Sequence, residues 1–340
     1  MKYILLIWLI SSYSDGAELG KIETLLKQYA AHVNQGNEQG VTSFLVYKNK
    51  QRLFESYAPT FHENSTHDLR SVTKSLTAIL VGIAIEENIF PKPTEKVTPY
   101  INSIGANNIS FKHITFSDLL TMRTGLACDD WVPASLGNED KMYLSPNWAK
   151  FFIALPLSHE TGKHFSYCTG GAVLTGHLLN QTLNNNFEGW SKKILFSKLD
   201  ITNFKWSKTP YGVVDTGGHI FMTARDLAKI GQMILNKGNF NGQQIVASHW
   251  INEITTSHTK VYERPYEYGY WWWLLASKTT QNNTTAEPEL IFAWGNGGQY
   301  LFISPKYQLI FVFTGTNFNS REMLKPQRKV KEWLDALSTK

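Results

Sequence analysis

In this chain the strand-forming segments lie at the two ends and the helical ones between them, and few folds accommodate that order. Thr42 to Tyr47 and Arg52 to Tyr57 read as two strands around a turn at Lys48–Gln51. Tyr268 to Leu275, Leu290 to Trp294, Gln299 to Ile303 and Leu309 to Thr314, rich in aromatic and β-branched residues, read as strands near the other end. Between them, helical patterns start at Ser71 and run to about Asn88, then cover Phe116 to Met122, Pro146 to Ala154, Ala172 to Leu183, Trp190 to Leu195 and Thr223 to Asn236. Further helices are predicted at about Leu19 to His32 and Arg321 to Leu337. Ala58–Arg70, Cys128–Tyr143, Gly162–Thr169 and the polar stretch Thr279–Thr285 read as loops. The economical solution is an α+β fold: one antiparallel sheet formed from both chain ends, flanked by helices, with an inserted helical domain. The boundaries predicted are 17–70 and 265–340 for the α/β part and 71–264 for the helical part.

A chain of 340 residues has ample material for such a core, and its 42% hydrophobic and 18% charged content is that of a globular protein. The net charge of +5 is diffuse, without basic blocks interleaved with aromatics, so nucleic-acid binding is not expected. Met1-Lys2, the apolar run Tyr3 to Ile10 and the small polar residues Ser11 to Gly16 have the pattern of a signal peptide over residues 1–16. Export to the periplasm or the medium is therefore expected, with no stable membrane insertion of the mature chain. Cys128 and Cys168 are the two cysteines. Export permits a disulfide between them, while two buried thiols are the plain alternative. No Gly-x-Ser-x-Gly occurs, and His164 stands one residue too far from His159-Glu160 for a His-Glu-x-x-His zinc helix. Neither a metal nor another cofactor is expected.

The chemistry-bearing stretch is Ser71-Val72-Thr73-Lys74, which opens the apolar run Ser75 to Ile85. A serine and a lysine three apart on a helix share a face. At the helix start the hydroxyl meets the positive end of the helix dipole, and the lysine can relay its proton. Ser257-His258-Thr259-Lys260 repeats the spacing, but Pro265 prevents a helix from continuing there. An ordinary helix start with a solvated lysine accounts for the tetrapeptide equally well. Tyr167, in Phe165-Ser-Tyr-Cys-Thr-Gly-Gly171, stands at a loop-to-helix junction, where a phenol near an ammonium is able to act as a base. Trp294-Gly-Asn-Gly-Gly-Gln299, at a strand start, has glycines that let a ligand approach backbone N–H groups. A packed tyrosine and a plain turn are the alternatives.

Taken together these motifs resemble the serine β-lactamase and D-alanyl-D-alanine peptidase superfamily. The similarity is to its class C and esterase-like branch, which includes the 6-aminohexanoate-dimer hydrolases, and it covers roughly residues 40–320. It rests on Ser71-Val-Thr-Lys74-Ser, Ile114-Thr-Phe-Ser-Asp-Leu-Leu-Thr-Met-Arg-Thr-Gly125-Leu, Tyr167-Cys-Thr-Gly-Gly171, Thr223-Ala-Arg-Asp-Leu-Ala-Lys-Ile-Gly231, Tyr268-Gly-Tyr-Trp-Trp-Trp273 and Gly295-Asn-Gly-Gly-Gln299. The resemblance implies Ser71 as a nucleophile forming an acyl-enzyme, Lys74 and Tyr167 sharing the proton work, and the backbone N–H groups of Ser71 and Gln299 as an oxyanion hole. It further implies Thr169, Asn296, Gly297, Gly298 and Trp131 near the substrate, and a Cys128–Cys168 disulfide beside Tyr167. Two positions depart from the family pattern. Thr169 stands where Asn or Ser is usual, and Asn296 stands where Lys or His begins the third motif. The expectation is an exported serine hydrolase acting on a small-molecule or peptide-like acyl substrate, an ester or amide. A β-lactamase or D-alanyl-D-alanine carboxypeptidase, and a non-catalytic binding protein on the same fold, are the alternatives.

Overall fold

The computed structural model describes residues 20–103, 106–276 and 287–338. The proposed signal segment and the Thr279–Thr285 stretch lie outside these. Among the described residues the strands are β1 (Val41–Lys48), β2 (Gln51–Tyr57), β3 (Thr66–Asp68), β4 (Lys205–Trp206), β5 (Ile220–Thr223), β6 (Asn239–Phe240), β7 (Gln243–Gln244), β8 (Thr259–Lys260), β9 (Glu267–Tyr268), β10 (Trp273–Leu275), β11 (Leu290–Gly295), β12 (Gln299–Ser304) and β13 (Leu309–Gly315). The α-helices are α1 (20–34), α2 (Val72–Glu86), α3 (Thr98–Ser103), α4 (Phe116–Leu120), α5 (Glu139–Tyr143), α6 (Trp148–Ile153), α7 (Thr169–Thr182), α8 (Phe187–Ser191), α9 (Ala224–Leu235), α10 (Ser248–Ile254) and α11 (Lys325–Ser338).

The main sheet has the order β2-β1-β13-β12-β11-β10-β9-β8 and is antiparallel throughout. The two chain ends therefore meet inside one sheet, where β1 pairs with β13 in the register Val46↔Phe311. Every residue of β13 is buried, because both faces of the sheet are covered. On one face Tyr29 of α1 packs edge-on against Phe44 and Phe313, and Trp333 of α11 is tilted against Phe44 and stacked on Phe313. On the other, α9 lies so close at Gly231 that a Cβ there would meet Leu301 and Ile310. Helix α9 thus covers the sheet, although its position in the chain suggested the helical part. Thr223 caps it through Asp226 N–H, as Thr115 caps α4 in a reciprocal capping box with Asp118.

The core of the helical part is α2, whose residues Val72 to Ala84 are all buried. Two indoles and one tryptophan carbonyl pin it in place: Trp272 Nε1 donates to Ser75 O at 3.2 Å, Trp250 Nε1 to Ala78 O at 3.0 Å, and Ser75 Oγ donates to the Trp271 carbonyl at 2.6 Å. This duty splits the expected strand 268–275. The chain turns between β9 and β10, with Trp271 at a left-handed φ of 56° and its Nε1 on Leu119 O at 3.0 Å. Two other readings are corrected. The loop 58–70 contains β3, which joins β5 and β4 in a small sheet. The loop 128–143 ends in α5, started by Asn138, whose side chain accepts from Asp140 N–H. As Pro265 led one to expect, the second Ser-x-x-Lys does not open a helix and runs into the edge strand β8.

His67 on β3 is buried and faces the sheet through Ser43 Oγ, 3.2 Å from its Nε2. Burial lowers its pKa to about 4, whereas an imidazole in the unfolded chain titrates near 6.5. The unfolded state therefore binds a proton over this interval that the folded state refuses. The contribution is complete above the unfolded value and is lost as pH falls toward about 4, by up to about 3 kcal/mol. Urea unfolding at neutral pH and at pH about 4.5 should show a smaller loss of stability in His67→Gln than in the parent chain. Equal losses in the two would refute this account.

Candidate active site

Ser71 occupies the N-cap position of α2, yet its side chain makes no capping hydrogen bond. Its hydroxyl is engaged elsewhere: Lys74 Nζ donates to Ser71 Oγ at 3.0 Å, and the Tyr167 side chain hydrogen-bonds the same hydroxyl. Lys74 is only 1% exposed, although it carries an ammonium. A second bond at 2.6 Å to the Gly217 carbonyl holds its head. That carbonyl belongs to the 215–219 turn, where Asp215 Oδ1 accepts from Gly217 and Gly218 N–H at 3.0 Å each. Thr77 Oγ1 ties the same turn to α2 through Thr216 O at 3.1 Å.

Burial alone would strip the proton from Lys74, but Tyr167, Glu139, Asp130 and Asp215 outweigh it and raise its pKa above the ordinary lysine value. Tyr167 is raised as well, by burial first, with Lys74 and the Ser71 hydrogen bond working against it. The resting pair is thus an ammonium beside a phenol. Asp215 is pushed up to about 6 by burial, against the pull of His219 and Lys74.

Ser71 and Tyr167 open onto a cavity of about 290 Å³. Its wall also contains Asp130, Trp131, Glu139, Arg264, Trp273, Trp294, Asn296, Asn319, Met323 and Leu324. Two cations and two rings form a stack along one side. Lys74 Nζ lies 5.2 Å from the centre of the Tyr167 ring, Trp131 is parallel to that ring at 5.3 Å, and the Arg264 guanidinium lies 4.1 Å above Trp131. The Lys74 ammonium lies over the Tyr167 ring and the Arg264 guanidinium over Trp131, which suits the negative potential of the ring faces.

The disulfide Cys128–Cys168, with Cα atoms 5.6 Å apart, joins the loops that carry these groups. Cys168 adjoins Tyr167, and Asp130 N–H donates to Tyr167 O at 2.8 Å across the same junction. From the sheet, Gly295 lies against Leu69 O and Arg70 Cβ, with Gln299 opposite it in the β11–β12 pair. The start of β12 is thereby set beside Ser71.

Of the residues singled out in the sequence, the structure gathers Ser71, Lys74, Tyr167, Trp131 and Asn296 here. Thr169 is fully buried at the start of α7 and does not reach the cavity; its hydroxyl is held by Asp130 and Glu139, which do. Gly297 and Gly298, at φ 91° and 94°, form the turn between β11 and β12 and do not line the cavity. The side chain of Asn296 is bound to its neighbour, Nδ2 donating to Asn319 Oδ1 at 2.7 Å and Oδ1 accepting from Asn319 N–H at 2.9 Å. Sequence reasoning missed Glu139 and gave Asp130 no role. The run Asp129-Asp130-Trp131 beside a cysteine was the only signal available.

Residues 24–331 match the family model described as beta-lactamase, so the chain belongs to the beta-lactamase family. It is 26% identical over 229 residues to the 6-aminohexanoate-dimer hydrolase of Paenarthrobacter ureafaciens, a match covering 62% of this chain and 56% of that protein's length. The chain thus spans little more than half of that relative. Among solved structures, its fold is similar to EstCE1, a hydrolase with promiscuous acyltransferase activity, at a TM-score of 0.73 and 12% identity over 96% of this chain and 100% of that one. It is also similar to the octameric penicillin-binding protein homologue of Pyrococcus abyssi, at a TM-score of 0.67 and 17% identity over 91% and 77%.

The disulfide closes a loop of 40 residues, a constraint on the unfolded chain of about 3–4 kcal/mol. The Cys128→Ala, Cys168→Ala double variant should lose about that much stability in urea unfolding. A loss below about 1 kcal/mol would contradict it.

Proposed function

We propose that this protein is an exported serine hydrolase that forms an acyl-enzyme with carboxylic esters or amides. The observation that carries the reading is the bond of 3.0 Å from buried Lys74 to a Ser71 hydroxyl left free of capping duty, with Tyr167 on the same oxygen. Neither contact serves the helix, and a buried ammonium is costly to keep for packing alone. Once the Lys74–Tyr167 pair has lost a proton it is the base for the Ser71 hydroxyl. Ser71 Oγ then attacks the acyl carbon and its proton passes to the pair. The tetrahedral oxyanion collapses, the bond to the leaving alcohol or amine breaks, and the leaving group takes up that proton. Water repeats the sequence on the acyl-enzyme, delivering its proton through the pair to Ser71 and releasing the acid. The backbone N–H groups of Ser71 and Gln299 are assigned to the oxyanion. The disulfide fits an oxidising compartment and supports export.

For the substrate, the neutral side chain of Asn296, already bound to Asn319, offers no charge to the carboxylate of a penicillin or a D-alanyl peptide. The name of the 6-aminohexanoate-dimer hydrolase points the same way, toward a hydrolysed compound that is not a β-lactam. Three aromatic residues, Trp131, Trp273 and Trp294, offer the acyl chain an apolar surface.

Ser71→Ala should abolish hydrolysis of a short-chain p-nitrophenyl ester while leaving the urea midpoint near that of the parent, because the hydroxyl caps nothing. Wild-type turnover in this variant would remove the reading altogether. On one preparation, kcat/KM should be higher for the ester than for a chromogenic cephalosporin. The reverse order would favour a β-lactamase.

A further inference from the structure

Two carboxyl groups in the cavity wall have no part in the acyl-transfer scheme, and the contacts around them cannot all be hydrogen bonds if both are ionised. Thr169 Oγ1 lies 2.7 Å from Asp130 Oδ2 and 2.8 Å from Glu139 Oε2. A hydroxyl has one proton to donate. Asp130 is the better-furnished acceptor. Its Oδ2 also receives Thr169 N–H at 2.6 Å, and its Oδ1 receives Glu139 N–H at 3.0 Å. With the hydroxyl proton directed to Asp130, the contact with Glu139 sets oxygen against oxygen and needs a proton from the Glu139 carboxyl. Directing it to Glu139 transfers the same requirement to Asp130. The Tyr143 hydroxyl, 3.4 Å from Glu139 Oε2, is too far to substitute for it. Either way the pair carries one proton.

We propose that Asp130 and Glu139 form a proton-sharing carboxyl pair, bridged by Thr169 Oγ1, that carries one negative charge while it holds the shared proton and two once it is lost, and so tunes the Lys74–Tyr167 base. This role rests on the acyl-enzyme reading, and the two residues act through Lys74 rather than on the reacting atoms. The charged and titratable groups around the pair are Lys74 of α2, Tyr143 of α5, Tyr167 before α7, Asp215 before β5 and Arg264 before β9. Burial and Glu139 push the Asp130 carboxyl up to about 7, so the shared proton is held through the acidic range and given up near neutrality. Each carboxylate near Lys74 favours its charged form. Loss of the shared proton therefore adds a second negative charge and moves deprotonation of the base to higher pH.

Glu139→Gln supplies an amide N–H to Thr169 in place of the acid proton and cannot ionise. In this variant the rising limb of the kcat/KM profile for a neutral p-nitrophenyl ester should lie at lower pH than in the parent, by about one unit. That displacement is read independently of the plateau, and simple loss of packing would not produce it. A limb that stays in place overturns the proposal. Infrared difference spectra provide the second measurement. Below neutral pH the parent should show a protonated-carboxyl band that is absent from Glu139→Gln, lost in Thr169→Val and regained in Thr169→Ser. Absence of the band from the parent refutes the shared proton even if the variants fail to fold. The spectra report on the pair whatever Ser71 does, so failure of the acyl-enzyme reading in Ser71→Ala would be recognised separately.

Discussion

The ammonium of Lys74 sits inside the helical core, and much of the surrounding structure answers to that fact. A charge removed from water is tolerated only where hydrogen bonds and opposite charges replace hydration. Here the Gly217 carbonyl and Ser71 Oγ accept from it, the Tyr167 ring covers one side, and Asp130, Glu139 and Asp215 surround it with negative charge. Each of these groups comes from a different part of the chain. The helix that carries Lys74 must in turn be held still, and the three tryptophans that bond its backbone and side chains hold it.

The cavity wall is assembled from two layers of different stiffness. The sheet side, with Trp273 and Trp294 on β10 and β11, rests on strands covered on both faces. The opposite side consists of the 128–138 and 162–168 segments, which have little regular structure of their own. Their order comes from the disulfide, from Ser166 Oγ donating to Cys128 O at 2.6 Å and from the stacking of Trp131 on Tyr167. A disulfide at this junction limits the freedom of the very segment that positions the phenol.

The departure at Thr169 acquires a physical meaning in this setting. In place of an amide facing the substrate, the chain has a short hydroxyl buried at the start of α7, and two carboxyl groups occupy the cavity wall in front of it. The polar character of this wall is therefore acidic and able to take up a proton, whereas the third-motif wall at Asn296 and Asn319 is neutral. The cation in the wall, Arg264, stacks on Trp131.

Much of the fold was legible in local pattern. Continuous apolar strands such as Leu309 to Gly315, the capping signals at Thr115 and Thr223 and the buried run after Ser71 depend on near neighbours, and they determined the sheet from both ends and the central helix. Ser71, Lys74 and Tyr167 were singled out by the ordered set of motifs that carries the family resemblance, since each local pattern by itself fitted a plain helix start or a packed tyrosine as well. Short elements were not legible. β3 has three residues and exists because Thr66–Asp68 pairs with β5, and the turn at Trp271 places one indole on Leu119 of α4 and the next on Ser75 of α2. Asp130 and Glu139 meet Thr169 from 39 and 30 residues away, through a bridge that depends on the path of the 128–138 loop. No periodicity encodes such a contact. Tertiary packing alone brought the two carboxyls to one hydroxyl, where hydrogen bonds through Thr169 offset a repulsion that burial strengthens.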